Sequence, residues 1–284
     1  MKRIPESELI LNEDGSIYHL HLLPDQIGDL IFTVGDPDRV SQVSKHFDSI
    51  DFQTSKREFV THTGRIGKRT VSAMSTGMGT DNIEIFMTEL DALVNIDLEN
   101  RVVKENSKKL QIVRLGTSGA LHQDIPIRSL LISEKAIGLD TLMNFYPETG
   151  ADQSLALALR NELGLNFSPY QAEGSLALSA KAGSEFLRGI TLTAPGFYAP
   201  QGREVRLSSR VKNFLNKIQA FEYGGQRITN LEMETAGYYA LGELLGHEVL
   251  SVNAILANRA NGTFDSNPAE TIDRMIVESL SIFV

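Results

Sequence analysis

The sequence predicts an α/β fold, in which helices cover both faces of a central, largely parallel or mixed β-sheet. Short runs rich in β-branched and aliphatic residues alternate with helical segments along the 284-residue chain, a pattern typical of such sheets. The chain shows no internal repeat, no low-complexity tract and no clear linker. Its length fits one large domain or two small ones. The lack of a linker favours a single domain over 1–284, with residues 1–18 as a polar N-terminal arm.

The strands and helices are predicted from the hydrophobic pattern and from end signals. Pro37, after the turn at Gly35, suits the first turn of a helix. Asp81 and Glu84 have the spacing of a capping box, and Gly164 is a suitable residue to end a helix. The predicted order is strand 30–34, a helix from 37, strand 71–75, helix 81–94, an exposed connection 97–109, strand 111–115, helix 152–163, strand 190–194, helix 235–246, strand 248–257 and helix 268–282.

The composition excludes several classes of function. The chain has no cysteine, which excludes disulfides, thiolate catalysis and cysteine-ligated zinc and agrees with a reducing cytoplasm. The net charge of -9 disfavours nucleic-acid binding. No apolar run reaches the roughly 18 residues of a membrane span. No apolar stretch follows the basic Lys2 and Arg3, as it would in a signal peptide. We therefore expect a cytoplasmic protein with neither nucleic-acid nor membrane partners.

Two acids flank a methionine where a predicted helix begins, at Glu232, Met233 and Glu234. Acids are ordinary in a first helical turn because the helix dipole favours negative charge there, so these acids could simply start the helix. In an extended run, however, side chains two residues apart point to the same side. Two carboxylates facing one cleft would accept hydrogen bonds from a pair of hydroxyls, and the methionine adds an apolar surface. That combination suits a sugar ring.

Arginines accompany the glycine-containing ends of two predicted strands. Gly35 and Arg39 lie at a helix start, where backbone N–H groups and a guanidinium could bind an anion, although a capped helix with a solvated arginine also fits. Arg114 lies in an otherwise apolar strand, and a buried arginine needs a partner, either a bound anion or an internal acid. The turn at Gly77 lacks the lysine of a nucleotide-binding P-loop, so we infer no ATP site.

A third group of polar residues follows the strand predicted at 190–194. Gln201 carries an amide that both donates and accepts hydrogen bonds, and Arg203 follows two residues later. Such a pair can bind a flat heterocycle that has adjacent carbonyl and N–H groups. Phe197 could pack against that ring. A turn with a surface arginine is the simpler alternative.

Together and in order, these segments resemble the nucleoside phosphorylase family, and within it the uridine phosphorylases. The resemblance runs from about His19 to the C-terminal helix. Each motif is weak alone, whereas the ordered combination is highly specific. The resemblance implies a nucleoside phosphorylase-like fold and active sites shared between subunits, in a dimer or a hexamer of dimers. The motifs are residues 35–39, 57–58, 75–79, 114–117, 197–203, 232–234 and 258–259.

The resemblance also implies a role for each matching residue. Arg57, read alone a surface residue, would complete the phosphate site from a neighbouring subunit, and His19 would reach the ribose 5′-hydroxyl across the same interface. The expected catalytic residues are Arg114, Gln201, Arg203 and Glu234. The expected binding sets are Gly35, Arg39, Arg57, Arg114 and Thr117 for phosphate, His19, Glu232, Met233 and Glu234 for ribose, and Phe197, Gln201, Arg203, Leu256 and Ala257 for the base.

The implied reaction is the reversible phosphorolysis of uridine, with phosphate as co-substrate, no cofactor and an oxocarbenium-like transition state. Glu58 and Ser75 match positions that hold a monovalent cation such as K⁺ in some relatives. Purine-type members carry an acid near the final strand, whereas residues 258–262 contain none here, which disfavours purine substrates and the hydrolytic nucleosidases. The alternatives are a purine nucleoside phosphorylase or nucleosidase of the same fold, and a non-catalytic nucleoside-binding protein.

Overall fold

A computed structural model describes residues 2–284, and Met1, the first residue of the predicted arm, lies outside the described residues. The strands in this range are β1 (Leu30–Val34), β2 (Ser49–Lys56), β3 (Phe59–Ile66), β4 (Arg69–Ser75), β5 (Ile96–Asp97), β6 (Val102–Val103), β7 (Gln111–Ala120), β8 (Leu130–Gly138), β9 (Tyr170–Glu173), β10 (Leu187–Thr193), β11 (Glu222–Tyr223), β12 (Gln226–Glu232), β13 (Glu248–Asn258) and β14 (Thr263–Phe264).

The helices connect these strands and close the chain. Across the described range, every helix is too short or too polar to span a lipid bilayer. Short 3₁₀ turns occur at Pro24–Gln26, Leu142–Phe145 and Ala199–Gln201. The α-helices are α1 (Pro37–Ser44), α2 (Thr80–Asn95), α3 (Ser154–Leu163), α4 (Leu176–Ser179), α5 (Phe214–Ala220), α6 (Thr235–Leu245) and α7 (Pro268–Phe283).

One mixed sheet runs through most of the described chain, in the order β11-β12-β10-β8-β13-β7-β1-β4-β3-β2. β1 lies parallel to β4 and β7, and β13 lies parallel to β7 but antiparallel to β8. β12 pairs with β10 and also with β7, where Asn230 lies opposite Ala120. This second pairing closes β7, β13, β8, β10 and β12 into a ring, and it joins the carboxyl ends of β7 and β12.

Helices cover both faces of this sheet, as they must where parallel strands are buried on both sides. β1 shows the two layers most directly. Its residues Leu30, Phe32 and Val34 pack in the same core as α1 and α7, whereas Ile31 packs with α2 and α6. Alternate side chains of one strand therefore enter different cores. The predicted fold class, a central mixed sheet wrapped by helices on both faces, is confirmed.

Two local predictions are wrong at an element end. The strand predicted over 111–115 continues to Ala120, because β13 pairs with β7 along its whole length and so keeps the chain extended. The capping box predicted at Asp81 and Glu84 is absent, because α2 begins at Thr80 and its N-cap residue is Gly79. In both cases tertiary contacts outweigh the local signal.

The N-terminal segment is not a polar extension. Ile17, Leu20 and Leu22 are fully buried and pack in the core with α2. The backbone N–H of Ile4 donates to the carbonyl of Arg101 at 2.7 Å, close to the small hairpin of β5 and β6. The arm therefore packs against the region predicted as an exposed connection, in which residues 103–109 are exposed.

We predict that Asn230 stabilises the closed ring. This fully buried amide donates to Ser118 of β7 and accepts from Thr191 of β10, both at 2.9 Å. Asn230→Ala should lower the free energy of unfolding by about 2–3 kcal/mol, because buried hydroxyls lose their partner. Urea unfolding would measure the loss, with the exposed Asn106→Ala as the control. Equal stability of the two variants would contradict a role in closing the ring.

Candidate active site

Glu232 ends β12, and its buried carboxylate holds the start of α6. Oε2 accepts hydrogen bonds from the backbone N–H groups of Glu234 and Thr235, both at 2.9 Å. Oε1 accepts the hydroxyl of Thr193, the last residue of β10, at 2.5 Å. N–H groups at a helix start have no partner within the helix, so an acceptor there stabilises it. Glu232 therefore caps a helix in addition to lying in the cleft.

Glu234 is also buried, and its carboxylate links α6 to α2. Oε1 accepts a hydrogen bond from the backbone N–H of Gly79, the N-cap residue of α2, at 2.8 Å. Gly79 has a φ of 93°, which residues with a side chain rarely adopt. The turn 76–80 thus presents one N–H group to a carboxylate of the cleft. The sequence shows the glycines of this turn, but it does not show that an N–H group of the turn binds the carboxylate of Glu234.

Arg114 lies between the two acids. Its Nη2 is 2.9 Å from Oε2 of Glu232 and 2.6 Å from Oε2 of Glu234. Its Nη1 donates to Ser251 Oγ at 3.1 Å and to Asn253 Oδ1 at 3.2 Å, both on the neighbouring strand β13. Arg114 is only 6% exposed, so these contacts replace water for nearly the whole side chain. Of the two partners that the sequence leaves open for Arg114, the structure shows internal acids.

Gly116 makes room for this arrangement. The side chain of Arg114 extends along β7 and lies over Gly116, which is two residues further along the same strand. A Cβ atom at Gly116 would lie 1.9 Å from Nη1 of Arg114, far inside van der Waals contact. Any larger residue there would displace the guanidinium from both carboxylates. The ion pair therefore requires a glycine at position 116, and this glycine does not indicate a turn.

Burial and charge shift the ionisation of these groups. Burial raises the pKa of Glu234, and the negative charge of Glu232 adds to that rise, whereas Arg114 and the N–H of Gly79 partly oppose it. Burial alone would lower the pKa of Arg114, but Glu232 and Glu234 outweigh that effect and raise it. The site thus holds a permanent cation beside a carboxylate that protonates more readily than usual.

A second guanidinium, that of Arg39, lies beside Arg114 without an acid of its own. Among residues 2–284, Arg39 forms no ion pair and no side-chain hydrogen bond, although it is half-buried at the start of α1. Burial lowers its pKa, Asp36 partly opposes that shift, and the positive charge of Arg114 lowers it further. Arg39 and Arg114 are thus adjacent cations, and no acid is bound to Arg39. This arrangement favours the binding of an anion between them.

The other residues of the predicted phosphate set differ in position. Gly35 lies against the glycine-rich turn, since a Cβ at Gly35 would come within 3.3 Å of the carbonyl oxygen of Gly77. Thr117 lies within β7 and is partly exposed, three residues beyond Arg114. Arg57 lies apart from them, at the exposed tip of the β2–β3 hairpin with a φ of 55°. Its expected role in a neighbouring subunit's site stays a prediction.

Glu58 and Ser75, the pair expected to hold a monovalent cation, are close together. The hydroxyl of Ser75 donates to the backbone carbonyl of Glu58 at 2.5 Å, and the N–H of Val60 donates to that hydroxyl at 2.8 Å. The contact joins β4 to the turn of the β2–β3 hairpin. It accounts for Ser75 as a structural residue, and the expected K⁺ site stays a prediction.

The predicted base-binding residues form a cluster on the loop that leaves β10. Nη1 of Arg203 donates to Oε1 of Gln201 at 2.5 Å and to the carbonyl oxygen of Phe197 at 2.7 Å. The guanidinium carbon lies 3.9 Å from the centroid of the Phe197 ring, which is 51% exposed. This stacking and the two hydrogen bonds fix the guanidinium in the loop. Gln201 is buried and Arg203 is partly exposed, and the expected role of this cluster in base binding stays a prediction.

Arg259 lies in a motif of the family resemblance, residues 258–259, but the sequence indicates no role for it. Its Nη1 donates to the backbone carbonyl of Gln201 at 3.2 Å, which joins the end of β13 to the loop after β10. Burial lowers the pKa of Arg203 to about 10, and the positive charge of Arg259 contributes to that shift. Its position directly after a strand, like that of the other candidates, and its place in the motif 258–259 are the sequence signals that point to it.

The apolar residues of the predicted site are partly exposed and lie close in sequence to the polar candidates. Leu256 and Ala257 are partly exposed, at an irregularity in the pairing of β13 with β7 between Ile255 and Ala257. Such a bulge turns side chains away from their regular alternation. Met233 is partly exposed between the two buried acids. These positions agree with apolar contacts to a ring, although no contact with a ligand is described.

His19 is not brought to the cleft of its own chain. Its Nδ1 lies 2.6 Å from Oε1 of Glu89, which also accepts the backbone N–H of Leu20 through Oε2 at 2.9 Å. Glu89 lies nine residues beyond the start of α2 at Thr80. At about 1.5 Å per residue this places it more than 10 Å along the helix from Gly79. A role of His19 in the cleft would therefore require a second subunit.

Comparison with known proteins identifies the relatives of this chain. A family model described as the phosphorylase superfamily matches residues 29–281. The uridine phosphorylase of Thermococcus kodakarensis is 28% identical over 271 residues, covering 93% of this chain and 85% of that protein. The DeoD-type purine nucleoside phosphorylase of Streptococcus suis is 26% identical over 255 residues, covering 89% of this chain and 91% of that protein.

Solved structures show the same relationship. A Trypanosoma brucei nucleoside phosphorylase, described as showing uridine phosphorylase activity, superposes with a TM-score of 0.84 at 28% identity, covering 96% of this chain and 99% of that one. The purine nucleoside phosphorylase of Toxoplasma gondii superposes with a TM-score of 0.66 at 18% identity, covering 95% of this chain and 96% of that one, which shows a shared fold.

We predict that Glu234 makes stability depend on pH. Its pKa is raised above the ordinary value of 4.5 in the folded protein, so its ionisation removes stability as pH rises through the raised pKa. Glutamine cannot ionise. The stability of the wild type relative to Glu234→Gln should therefore fall as the pH rises above 4.5 and through the raised pKa. Urea unfolding at several pH values would measure this, with the exposed Glu105→Gln as control. A difference that grew with pH would contradict the raised pKa.

Proposed function

This chain belongs to the phosphorylase superfamily, and we propose that it catalyses the reversible phosphorolysis of uridine to uracil and ribose 1-phosphate. The observation that carries the proposal is a pair of guanidiniums, Arg39 and Arg203, that form no ion pair with a carboxylate among the described residues. Arg39 lies in the first turn of α1 beside Arg114, the partner of Glu232 and Glu234, and Arg203 lies in the loop after β10. A nucleoside and phosphate require such an arrangement, with one cation for phosphate, one for the base and acids for the sugar between them.

The phosphate half of the site is supported by Arg39, Arg114 and Gly35. Arg114 is paired with two acids, so Arg39 supplies the guanidinium at this end of the cleft that forms no ion pair with a carboxylate among the described residues. Gly35 lies two residues before α1, whose first turn adds the positive end of a helix dipole. The partly exposed hydroxyl of Thr117 is available as a further donor. A nucleosidase or a pure nucleoside binder would need none of these groups.

The base half is supported by Gln201, Arg203 and Arg259. These groups offer one amide and two guanidiniums and no carboxylate, and residues 258–262 contain no acid. Uracil presents two carbonyl oxygens and leaves as an anion, so donors and cations match it. A purine leaving group is instead helped by a proton delivered to its ring nitrogen, which needs an acid. The cluster therefore favours a pyrimidine over the purine alternative.

In the proposed reaction, an oxygen of phosphate forms a bond to C1′ of the ribose while the bond from C1′ to N1 of uracil breaks. The bonding electron pair leaves with the base, where Arg203 and Gln201 stabilise the charge on the ring and its carbonyl oxygens. The uracil anion then takes a proton from water. Positive charge develops on the ribose, and Glu234, with Met233 packed beside it, orients the ring hydroxyls. Apart from phosphate, the proposed reaction uses no cofactor.

We further propose that the working enzyme is an oligomer with shared sites. His19 is bound to Glu89 and Arg57 lies on an exposed hairpin tip, so neither reaches the cleft of its own chain. Both positions are accessible to a second subunit. A dimer is the smallest assembly that would complete two sites, and a hexamer of dimers would repeat it.

The activity is tested by incubating the purified protein with uridine, with and without phosphate, and with inosine and phosphate. Uracil should appear only with phosphate, and inosine should react little. Uracil release without phosphate would identify a nucleosidase, and faster reaction of inosine would identify a purine nucleoside phosphorylase, as the relatedness to DeoD-type enzymes allows. Binding of uridine without turnover of either nucleoside would identify a binding protein. Each of these three results would contradict the proposal.

Arg203→Ala should lower kcat for uridine by about 100- to 1,000-fold, the usual effect of losing a donor aimed at charge that develops in the transition state. The exposed Arg206 in the same loop supplies the matched control, since Arg206→Ala removes the same charge without touching the Gln201–Phe197 cluster. Steady-state kinetics at saturating phosphate would measure both variants. A similar kcat for the two would remove Arg203 from the transition state.

A further inference from the structure

Two hydroxyl groups are buried without a partner behind the anion end of the cleft. Oγ1 of Thr33 and the phenol oxygen of Tyr238 have no hydrogen-bond partner among residues 2–284. Thr33 is 0% exposed and Tyr238 is 1% exposed. Buried polar groups are almost always hydrogen-bonded in folded proteins, because an unpaired one loses its contacts with water and gains nothing. Two such groups at one place therefore require an explanation.

Their position connects them with Arg114 and the glycine-rich turn. Thr33 lies on β1 directly opposite Arg114 in the pairing of β1 with β7. Tyr238 lies one helical turn beyond Glu234, and its backbone N–H donates to the carbonyl of Glu234 at 3.2 Å. Thr76, which begins the turn after β4, has a hydroxyl that makes only long contacts, 3.3 Å to the carbonyl of Gly77 and 3.5 Å to that of Val34. The hydroxyls of Thr33 and Thr76 and the guanidinium of Arg114 all act on the phenol of Tyr238, so the three hydroxyls are neighbours close to Arg114.

The neighbouring tyrosine shows that this helix can satisfy a buried phenol. Tyr239 is equally buried, and its hydroxyl donates to the carbonyl of Ser133 at 2.5 Å and accepts the N–H of Ser251 at 2.9 Å. Burial in α6 therefore does not by itself leave a phenol unpaired. The two tyrosines are adjacent in sequence and differ in what their hydroxyls contact.

Tyr238 remains a hydrogen-bond donor at neutral pH. Burial raises its pKa to about 12, and the hydroxyls of Thr33 and Thr76 together with Arg114 offset only part of that rise. Its O–H group is therefore fully protonated under physiological conditions. Thr33 and Thr76 are its hydroxyl neighbours, and neither lies in good hydrogen-bond geometry with the phenol in this structure.

We propose that Tyr238 is a positioning residue of the anion site, donating to Oγ1 of Thr76 while Thr76 donates to a bound phosphate. The inference rests on the proposed function, because Arg39 and Arg114 must hold a phosphate close to the turn that Thr76 begins. Phosphate supplies the strong acceptor that draws the Thr76 hydroxyl away from its long contacts with two carbonyls. Tyr238 then donates its free proton to Thr76, and hydroxyls linked in a row strengthen one another. Tyr238 acts through Thr76 and makes no contact with the reacting atoms.

The test compares Tyr238→Phe with Tyr239→Phe in the full-length protein, using inorganic phosphate as the probe. Tyr238→Phe breaks no hydrogen bond of the protein, so its melting temperature without phosphate should equal or exceed that of the wild type. Its KM for phosphate should rise about three- to tenfold, the usual effect of one hydrogen bond, with kcat and the KM for uridine unchanged. The rise in melting temperature on adding phosphate should shrink accordingly. Tyr239→Phe should show the reverse pattern, with lower stability and an unchanged KM for phosphate.

Thr33→Val provides a second variant that removes a hydroxyl at nearly constant shape, and it should change the KM for phosphate in the same direction by a smaller factor. The inference is overturned if Tyr238→Phe keeps the wild-type KM and the wild-type thermal response to phosphate. It is also overturned if Tyr238→Phe loses stability as Tyr239→Phe does and raises the KM of both substrates together. A wild type that shows no thermal response to phosphate would overturn the phosphate site itself, and with it both proposals.

Discussion

The ion pair of Arg114 with Glu232 and Glu234 is the interaction on which the rest of the site depends. It joins β7, the end of β12 and the start of α6, and through Gly79 it also fixes the start of α2. Burying three charged groups is expensive unless each is paired and hydrogen-bonded, and here each one is. Removing the cation would leave two buried carboxylates with no counter-charge, which typically costs about 3–5 kcal/mol. The same ion pair therefore stabilises both the closed ring of strands and the cleft.

The charged residues of the cleft are of two kinds: some are bound within the fold, and others keep their charge available for a ligand. Glu232 and Arg114 are largely occupied by the fold, since their polar atoms contact helix N–H groups, strand hydroxyls and one another. Arg39 and Arg203 lie further out and form no ion pair among the described residues, so they keep charge available for a ligand. A rigid, neutralised centre with cations at its edges is a way to preorganise a site without strain. The reacting groups then meet fixed dipoles and need little rearrangement.

The relatives of this chain include proteins named for pyrimidine and for purine nucleosides at similar identity, 28% and 26%. A shared fold therefore leaves the choice of base open, as is general for folds that serve several substrates. In this chain, the residues proposed to contact the base lie in two loops. Gln201 and Arg203 follow β10 and Arg259 follows β13, and the contact of Arg259 with the carbonyl of Gln201 ties the two loops together. Under the proposed function, the preference for a base would depend on a few loop residues on a common fold.

Much of the fold could be predicted from local pattern alone. The strand 30–34, the glycine that ends α3 at Gly164 and the closing helix over Pro268–Phe283 all follow from hydrophobic periodicity and end signals, which act within a few residues. The candidate residues could be found because they follow strand ends and because their ordered motifs resemble those of a known family. The sequence by itself therefore determined the α/β class, and it pointed to Arg114, Glu232 and Glu234, which the structure brings together.

Only the tertiary structure decided how those members are connected. The partner of Arg114 lies 120 residues away at Glu234, and the extension of β7 past Gly116 depends on pairing with β13. In the sequence, Gly116 indicates a turn. In the structure, glycine is needed at this position because the guanidinium of Arg114, from the same strand, lies over it. Likewise Tyr238 and Tyr239 are indistinguishable as adjacent tyrosines, and only their surroundings make one hydroxyl satisfied and the other free. Such contacts arise from packing between distant segments, and no local pattern records them.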